Sequence, residues 1–434
     1  MFTFAAFVII VVTLYAILRQ ADVRLALFAG GLALATLAMQ PLVVFETFMR
    51  ELGNGKTIGP ICSAMGYSYV LRATGCDRAM ISRLLKPLRR TGWLLLPGGC
   101  AVAFATNIAI NSQTAAAAAV GPILVPLLLA AGFPPVVAAS CLLLGTSCGN
   151  LVNPGEADIV AIHDASLAPM AQILGAMLPP LLAGFAVMVG LFTALNARSR
   201  TDSPASTPAW NTTDPAAAES ALPPLWKAFM PPLPVLMIFV LLPGFIFDHL
   251  PPPFERGLPV PYAMLASLII LLLLSRVEVS ASVKSFFNGM GEGFATVISL
   301  IVTASCFIAG VTAVGLTAKL VALSSGNGLL AKAAATFFPG LLAVITGSGT
   351  GPSIAYTKAI LPGMRAAGDI AAGIDLGVLG AIAANYGRTV SPVAAVVLFV
   401  TTLAGVTVAD VVKRMAIPLA GGLIVVFTVV AARG

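Results

Sequence analysis

Long stretches without a single charged side chain dominate this sequence and decide which folds are open to it. A helix crosses a lipid bilayer with about 20 apolar residues, and several stretches reach that length. They include residues 25–45, 165–197, 228–247, 257–275, 293–318, 389–409 and 415–432. Only 9% of the 434 residues are charged, which is too few for the surface of a soluble protein of this size. The chain is therefore predicted to be a multi-pass protein of the bacterial inner membrane.

The basic residues predict the orientation of the chain in the membrane. The formal net charge is +7, but the basic residues lie in short loops, where they set orientation rather than bind nucleic acid. With the amino terminus outside, the cytoplasmic loops carry more Lys and Arg than the periplasmic loops. Both termini are therefore expected in the periplasm. No nucleic-acid partner, cofactor or resident metal is predicted, although a transported cation stays open.

One segment near the middle of the chain differs in composition from the rest. Residues 199–224 are rich in Ser, Thr, Pro and Ala, a composition that cannot bury an apolar face. The sequence predicts a cytoplasmic linker over residues 199–226. This linker separates a first repeat, residues 1–198, from a second repeat, residues 227–434.

Identical residues recur at a constant distance in the two halves. The residues Ser112, Thr114, Pro126 and Gly132 each have the same residue type 236 positions later. Such matches indicate an internal repeat of the kind found in secondary transporters. An odd number of membrane crossings in each half predicts that the two repeats are inverted relative to each other.

The first half contains a polar segment inside a long uncharged region. Residues 91–155 carry no formal charge, yet residues 107–114 are polar. Unpaired polar backbone is not stable in lipid, so this segment must be buried in protein or line a cavity. We predict a re-entrant hairpin over about residues 93–130 and a helix interrupted near residues 149–155. The second half repeats this plan, with a hairpin over about residues 329–366 and a break near residues 385–392.

The predicted fold is therefore an all-α membrane protein with about ten transmembrane helices plus two re-entrant hairpins in two inverted repeats. The hairpin turns and helix breaks form the candidate binding site, because broken helices offer positive ends to carboxylates and carbonyl ends to cations. Small polar residues can instead serve close helix packing, but two turns at matching positions favour a site. The predicted substrate- or ion-binding residues are Asn111, Ser112, Thr114, Asn150, Asn153, Ser348, Thr350, Asn385, Arg388 and Thr389.

Three ionisable residues near the breaks need partners. A buried guanidinium at Arg388 requires an anion, which either a substrate carboxylate or a protein acid can supply. Glu156 and Asp158 are predicted to couple transport to protons, because acids at membrane depth commonly relay them. The alternative is that one of these acids pairs with Arg388.

Three short runs resemble a known family. Residues 347–355 (GSGTGPSIA), 153–158 (NPGEAD) and 66–72 (GYSYVLR) are similar to the anaerobic C4-dicarboxylate carriers of the DcuC type. The resemblance spans nearly the whole chain except the linker. It implies membership of the ion transporter superfamily, whose members have two inverted repeats, re-entrant hairpins and often a dimeric scaffold. A homodimer is therefore one expected arrangement.

The resemblance implies secondary transport of succinate, fumarate and malate, coupled to sodium or protons or run as an exchange. The expected partners are the small organic anion and the lipid bilayer. Transport of another organic anion or of an amino acid stays open, as does an exchanger or channel for inorganic ions. A membrane hydrolase is a third class, since residues 145–149 (GTSCG) match a hydrolase nucleophile motif centred on Ser147. That motif needs a strand-to-helix turn, whereas here it lies in an apolar helix, so no enzymatic activity is predicted.

Overall fold

A computed structural model describes residues 2–19, 21–86, 94–196, 199, 224–241, 258–275, 279–316, 328–392 and 394–433. Within these ranges all regular secondary structure is helical, which confirms the all-α prediction. The α-helices are α1 Phe2–Leu18, α2 Val23–Leu37, α3 Leu42–Leu52, α4 Gly55–Thr74, α5 Cys76–Leu85, α6 Leu95–Ala109, α7 Gln113–Ala130, α8 Pro135–Gly145, α9 Ala157–Ser166, α10 Met170–Asn196, α11 Leu225–Phe229, α12 Leu233–Val240, α13 Val260–Ser275, α14 Val279–Gly293, α15 Ser299–Ala313, α16 Gly328–Thr346, α17 Thr350–Ala366, α18 Ile370–Thr389, α19 Ala395–Ala404 and α20 Val408–Ala431.

Seven helical segments within the described ranges are long and apolar enough to cross a bilayer. They are Gln113–Ala130, Pro135–Ser166, Met170–Asn196, Val279–Ala313, Gly328–Thr346, Ile370–Thr389 and Val408–Ala431. The prediction of about ten spans rested on apolar length alone, and several of those stretches form helices of 10–17 residues. Large apolar side chains stand on the protein surface, such as Leu273 at 78% exposure. Such a surface fits contact with lipid chains, and the protein is a multi-pass membrane protein.

The predicted linker, residues 199–226, falls mostly outside the described residues, which exclude 200–223. Its last two positions, Leu225 and Trp226, begin α11. Pro224 directly before them lacks a backbone N–H, and a proline is readily accommodated at the start of a helix.

Both predicted hairpins are helix–turn–helix pairs. Helices α6 and α7 are joined by residues 110–112, and α16 and α17 by residues 347–349. Each turn places a serine hydroxyl at the start of the second helix. Ser112 Oγ accepts a hydrogen bond from the Ala115 N–H at 3.3 Å, and Ser348 Oγ accepts one from the Gly351 N–H at 3.4 Å. These caps satisfy backbone donors that would otherwise lack partners.

The two hairpins also end in the same way. Gly132 and Gly368 adopt left-handed backbone with φ of 85° and 83°, a conformation that glycine reaches without a Cβ clash. After each glycine, a backbone N–H bonds to a carbonyl five residues earlier, Phe133 to Leu128 and Asp369 to Met364. The paired positions again differ by 236, which supports the repeat. The inversion of the repeats and the re-entrance of the hairpins stay predictions.

The two helix breaks differ in length and place. In the first half α8 ends at Gly145, a short 3₁₀ turn covers Gly149–Val152, and α9 begins at Ala157. In the second half α18 continues to Thr389, so the break starts at residue 390 rather than 385. Arg388 therefore lies in the last turn of α18. The polar groups there bond to backbone one turn back, Thr389 Oγ1 donating to the Asn385 carbonyl at 2.8 Å, and the helix persists.

The helices pack in two groups that each combine both halves of the chain. The hairpin group, α5–α10 with α16–α20, shares one large apolar core. The flanking group, α1–α4 with α11–α15, is held by α4 against α14 and by α2 against α15. A small apolar cluster that includes Ile61, Ala157 and Ile354 joins the two groups. Lys358 of α17 reaches across the same boundary to Glu51 of α3, with Nζ 2.6 Å from Oε2.

Candidate functional site

Polar side chains from the first hairpin turn, from the first helix break and from helices α6, α7, α9, α17 and α18 meet inside the hairpin group. We call this set the polar cluster; its members are Asn107, Asn111, Gln113, Asn150, Asn153, Asp158, Ser353, Asn385, Arg388 and Thr389. Most of these side chains are buried, so their polar groups must find partners within the protein or on a ligand.

The first hairpin turn is tied to the first helix break by two asparagine contacts. Asn153 Nδ2 donates to Asn111 Oδ1 at 2.6 Å and to the Ile108 carbonyl at 2.9 Å. The Asn150 backbone N–H donates to Asn107 Oδ1 at 3.0 Å. Gly149 allows this approach, because a Cβ at that position would overlap the Phe104 carbonyl of α6. The break and the turn therefore form one unit.

A second contact joins the first hairpin to the other half of the chain. Gln113 Nε2 donates to Thr389 Oγ1 at 3.1 Å, and both side chains are buried. Gln113 opens α7 and Thr389 ends α18, so this hydrogen bond links the turn in the first half to the break in the second.

Asn385 occupies the middle of the cluster. Its Nδ2 donates to Asp158 Oδ2 at 3.4 Å and to the Ala381 carbonyl at 2.9 Å. Its Oδ1 accepts a hydrogen bond of 2.6 Å from Arg388 Nη2. The second hairpin turn packs on the same residue, since a Cβ on Gly349 would lie 3.3 Å from Asn385 Cα. The amide side chain thus contacts an acid and a guanidinium, and the hairpin turn packs on the backbone of the same residue.

Among the described residues, no protein acid forms a direct ion pair with Arg388. No carboxylate oxygen among the described residues lies within 4.0 Å of its guanidinium, and the buried Nε lacks a hydrogen-bond partner. Glu156 and Asp158 are near enough for their charges to act on it. A guanidinium offers five N–H donors, so this one retains binding capacity inside the protein.

The remaining predicted residues surround this centre. Ser112 and Ser348 cap their helices, and Thr114 and Thr350 lie half-buried in the first turns of α7 and α17. The Asn150 side chain is buried and lies next to Glu156. Glu156 precedes α9 and is 5% exposed. The structure therefore places the twelve predicted positions in or beside the turns and breaks, whereas their roles in binding stay predictions.

The predicted site residues did not include four residues that lie in or next to the cluster, namely Asn107, Gln113, Ser353 and Thr357. Asn107 and Gln113 flank the predicted turn, and an amide within an apolar run was the available signal. Ser353 and Thr357 lie one turn apart on α17, and both hydroxyls are buried. Ser353 faces Asp158. Nothing in the local sequence marks Thr357, because its burial depends on the packing of α17 against α9.

The hydrolase motif takes no part in this cluster. The Ser147 hydroxyl is buried and donates to the Leu144 carbonyl at 2.8 Å, where it helps end α8. The motif thus lies at a helix end rather than at a strand-to-helix turn.

Comparison with known proteins identifies the family. The family model of DcuC, a C4-dicarboxylate anaerobic carrier, matches residues 33–433. A probable anaerobic C4-dicarboxylate transporter DcuC of Vibrio cholerae serotype O1 is 25% identical over 396 residues, which cover 87% of this chain and 81% of the relative. The anaerobic C4-dicarboxylate transporter DcuC of Escherichia coli K12 is 31% identical over 152 residues, covering 34% of this chain and 32% of the relative.

Two further proteins are similar to this chain. A putative uncharacterized transporter of Haemophilus influenzae is 36% identical over 129 residues, covering 30% of this chain and 89% of the relative. The fold is similar to that of Neisseria gonorrhoeae MtrF, which is described with a class of antimetabolite efflux pumps. That likeness has a TM-score of 0.58 at 14% identity and covers 90% of this chain and 84% of MtrF. At this identity it concerns the fold alone.

The family match extends over nearly the whole chain, both hairpins and both breaks included. Its members are transporters rather than enzymes, and the apolar helices place this protein in the inner membrane as a multi-pass protein. On this evidence the chain belongs to the DcuC family of C4-dicarboxylate anaerobic carriers.

Proposed function

We propose that this protein is a secondary transporter that carries succinate, fumarate and malate across the inner membrane. The observation that carries the proposal is Arg388, a guanidinium held by Asn385 inside the polar cluster and paired with no carboxylate of the described residues. A dianion that leaves water needs strong compensating interactions. A guanidinium supplies them well, because its planar fork can donate two parallel hydrogen bonds to one carboxylate.

The hairpin turns are proposed to hold the remainder of the substrate. Ser112 and Thr114 lie at the amino end of α7, and Ser348 and Thr350 at the amino end of α17. The amino end of a helix carries a partial positive charge and free N–H groups, both of which favour anions. Hydroxyls at the same ends can bind the second carboxylate or a coupling cation.

Charge balance supports coupling to cations. The cluster contains one acid, Asp158, and one base, Arg388, and a second acid, Glu156, lies next to it. A dianionic substrate would add two further negative charges to a site that is already negative when every group is ionised. Such an excess is unfavourable in a low-dielectric interior. We therefore propose that cations accompany the substrate, either as protons on Glu156 and Asp158 or as sodium ions.

Access to the buried cluster requires movement. The cluster residues belong to the hairpin group, so an elevator-like or rocking displacement of this group against the flanking group would expose them to each side in turn. A homodimer built on the flanking group would provide a fixed frame for this movement.

Uptake of labelled succinate into proteoliposomes tests the proposal. Sodium and proton gradients are imposed separately, and unlabelled fumarate, malate, a longer dicarboxylate and an amino acid are added as competitors. We expect saturable uptake that fumarate and malate inhibit and that one of the two gradients accelerates. Preloaded unlabelled dicarboxylate distinguishes exchange from net uptake.

Three results would overturn parts of this proposal. Uptake of an amino acid or another organic anion without succinate uptake would assign a different substrate. Succinate flux independent of either gradient and of internal dicarboxylate would remove cation coupling and exchange. Passage of inorganic ions without saturation would indicate a channel.

A further inference from the structure

A second polar site lies at the boundary between the hairpin group and the flanking group. A cavity of about 850 Å³ opens between α3, α15, α17 and the end of α9. Three basic residues and two acidic residues line it, namely Arg50, Lys358, Arg365, Glu51 and Asp164. None of them belongs to the polar cluster. Its volume lies within the range of about 300–1,000 Å³ typical of small-molecule sites.

The cavity already holds one carboxylate on a lysine. Lys358 Nζ lies 2.6 Å from Glu51 Oε2 and 2.9 Å from Ser305 Oγ, and the two charged side chains are only 12% and 11% exposed. An ion pair this sheltered is screened less than a surface pair. The ammonium of Lys358 is therefore placed to bind a carboxylate, and Glu51 currently occupies that position.

Two arginines in the cavity are paired with no carboxylate in the described part of the chain. Arg365 Nη1 donates to the Ala165 carbonyl at 3.2 Å, and Arg50 Nη2 donates to Thr47 Oγ1 at 3.3 Å. Neither guanidinium has a carboxylate oxygen within 4.0 Å among the described residues. Most of their donor capacity thus remains available to an anion in the cavity.

Helix α17 connects this cavity to the polar cluster. Lys358 follows the buried Thr357 directly, and Ser353 stands about 7.5 Å earlier along the axis, at 1.5 Å per residue. Ser353 faces Asp158 of the cluster. Along α17, a ligand bound at Lys358 would therefore be separated from the buried site by little more than one turn.

We infer that this cavity is an entry site for the dicarboxylate, in which one carboxylate replaces Glu51 on Lys358 and Arg365 receives the other. The inference rests on the proposed function, since it assigns a second station to the same substrate. The orientation predicted from the basic residues places the cavity on the periplasmic side. Displacement of Glu51 also removes a contact between α3 and α17, so binding here loosens the boundary across which the hairpin group must move.

Kinetics from each side of the membrane test the entry site. Initial uptake is measured against external succinate at low and high salt, in Glu51→Gln, Lys358→Gln, Lys358→Arg and Arg365→Gln. Arg433→Gln is the matched control, because Arg433 is also ion-paired, to Asp375 at 3.3 Å, but lies outside the cavity.

The entry site predicts opposite shifts for the acid and the bases. Glu51→Gln should lower the external KM several-fold, because it removes the competing carboxylate. Lys358→Gln and Arg365→Gln should raise it about 10-fold at low salt and less at high salt, as expected for electrostatic attraction of the substrate. Lys358→Arg keeps the positive charge and should raise the KM less than Lys358→Gln does, whereas Arg433→Gln should stay near the unaltered protein. The KM from the other side should not change.

A different result is expected if the ion pair between Lys358 and Glu51 only holds the two helix groups together and binds no substrate. If Glu51→Gln and Lys358→Gln change the maximal rate while the external KM and its salt dependence stay constant, the entry site is wrong. Should Lys358→Gln fail to fold, Glu51→Gln and Arg365→Gln decide the question.

Absence of succinate transport in the unaltered protein contradicts the proposed function instead. In that case, binding of labelled succinate is measured on purified Arg388→Gln protein, in which the polar cluster has lost its guanidinium, so that the cavity is tested alone. The entry site is supported if adding Lys358→Gln abolishes this binding. It is wrong if the Arg388→Gln protein binds no succinate.

Discussion

Asn385 stands between Arg388 and Asp158, accepting a hydrogen bond of 2.6 Å from the guanidinium and donating one of 3.4 Å to the carboxylate. This arrangement keeps the two opposite charges close without a direct ion pair. A direct pair would consume the charge that a substrate carboxylate needs. The amide therefore holds Arg388 in place while leaving its charge available.

Replacement of Asn385 should uncouple these groups. In Asn385→Ala we expect Arg388 to turn toward Asp158, so that succinate transport falls at least 10-fold. The lost buried hydrogen bonds should also lower stability by about 1–3 kcal/mol. Asn196→Ala is the matched control, because Asn196 is a buried asparagine whose Nδ2 bonds one turn back to the Phe192 carbonyl, outside the cluster. Equal transport losses in the two variants would show that Asn385 acts only through stability.

Substitution of the guanidinium tests its role as a carboxylate ligand. Arg388→Lys retains the charge but not the planar fork. We expect the KM for succinate to rise about 10-fold, equivalent to about 1.4 kcal/mol of binding, while the amount of folded protein in the membrane stays similar. Arg433→Lys should leave the KM unchanged. An unaltered KM in Arg388→Lys would assign the dianion to the helix ends and hydroxyls alone.

The hydrogen bond between the two halves can be measured as a coupling energy. A double-mutant cycle with Gln113→Met and Thr389→Val should give a coupling of about 0.5–3 kcal/mol in thermal stability, because the two side chains are in direct contact. Distant pairs add within about 0.3–0.5 kcal/mol. Additivity of this pair would mean that the contact of 3.1 Å contributes little to the joining of the halves.

Gly149 and Gly190 differ in the space available for an added methyl group, and substitution by alanine should reveal this difference. A Cβ on Gly149 would overlap the Phe104 carbonyl and lie 3.0 Å from Asn107 Cβ, whereas a Cβ on Gly190 meets nothing within 4 Å. Gly149→Ala should therefore displace the first hairpin, with lower thermal stability and little transport. Gly190→Ala should raise stability by up to about 1 kcal/mol through helix propensity. Tolerance of alanine at position 149 would contradict the tight packing of break and turn.

Reporter fusions test the inversion of the two repeats. A reporter that is active only in the cytoplasm should be active after residue 198 and inactive after residue 433, in accord with the distribution of basic residues. Fusion before residue 24 and after residue 275 provides matched cytoplasmic sites on the same prediction. Activity on the same side at both test positions would refute the inverted arrangement.

The sequence alone predicts the helical fold, the hairpins and the helix breaks, because each follows from local composition. Polar residues 107–114 within an uncharged region already require a protein-lined turn, and the turn lies there. The partners of Arg388 could not be predicted in the same way. Asn385 is a helical neighbour, but Asp158 is 227 residues away, and its distance depends on how α9 packs against α17 and α18.

The second break shows a further limit of local reasoning. Gly387 and the polar side chains around it resemble an interruption, yet α18 continues to Thr389, and the Asn385 and Thr389 side chains bond to carbonyls one turn back. Side-chain bonds of this type depend on rotamers that the residue sequence does not specify. The break therefore begins five residues later than predicted, and Arg388 projects from a helix rather than from a loop.

Each packing group combines helices from both halves of the chain, and this has a consequence for biogenesis. Helices α4 and α2 pack against α14 and α15, and α10 packs against α20, so neither half of the chain contains a finished core. During synthesis the first half enters the bilayer before the helices that cover its polar cluster exist. At that stage Asp158 and Gln113 lack Asn385 and Thr389, with which they form hydrogen bonds in the complete protein. Assembly is therefore complete only when the final helices of the second half have been inserted.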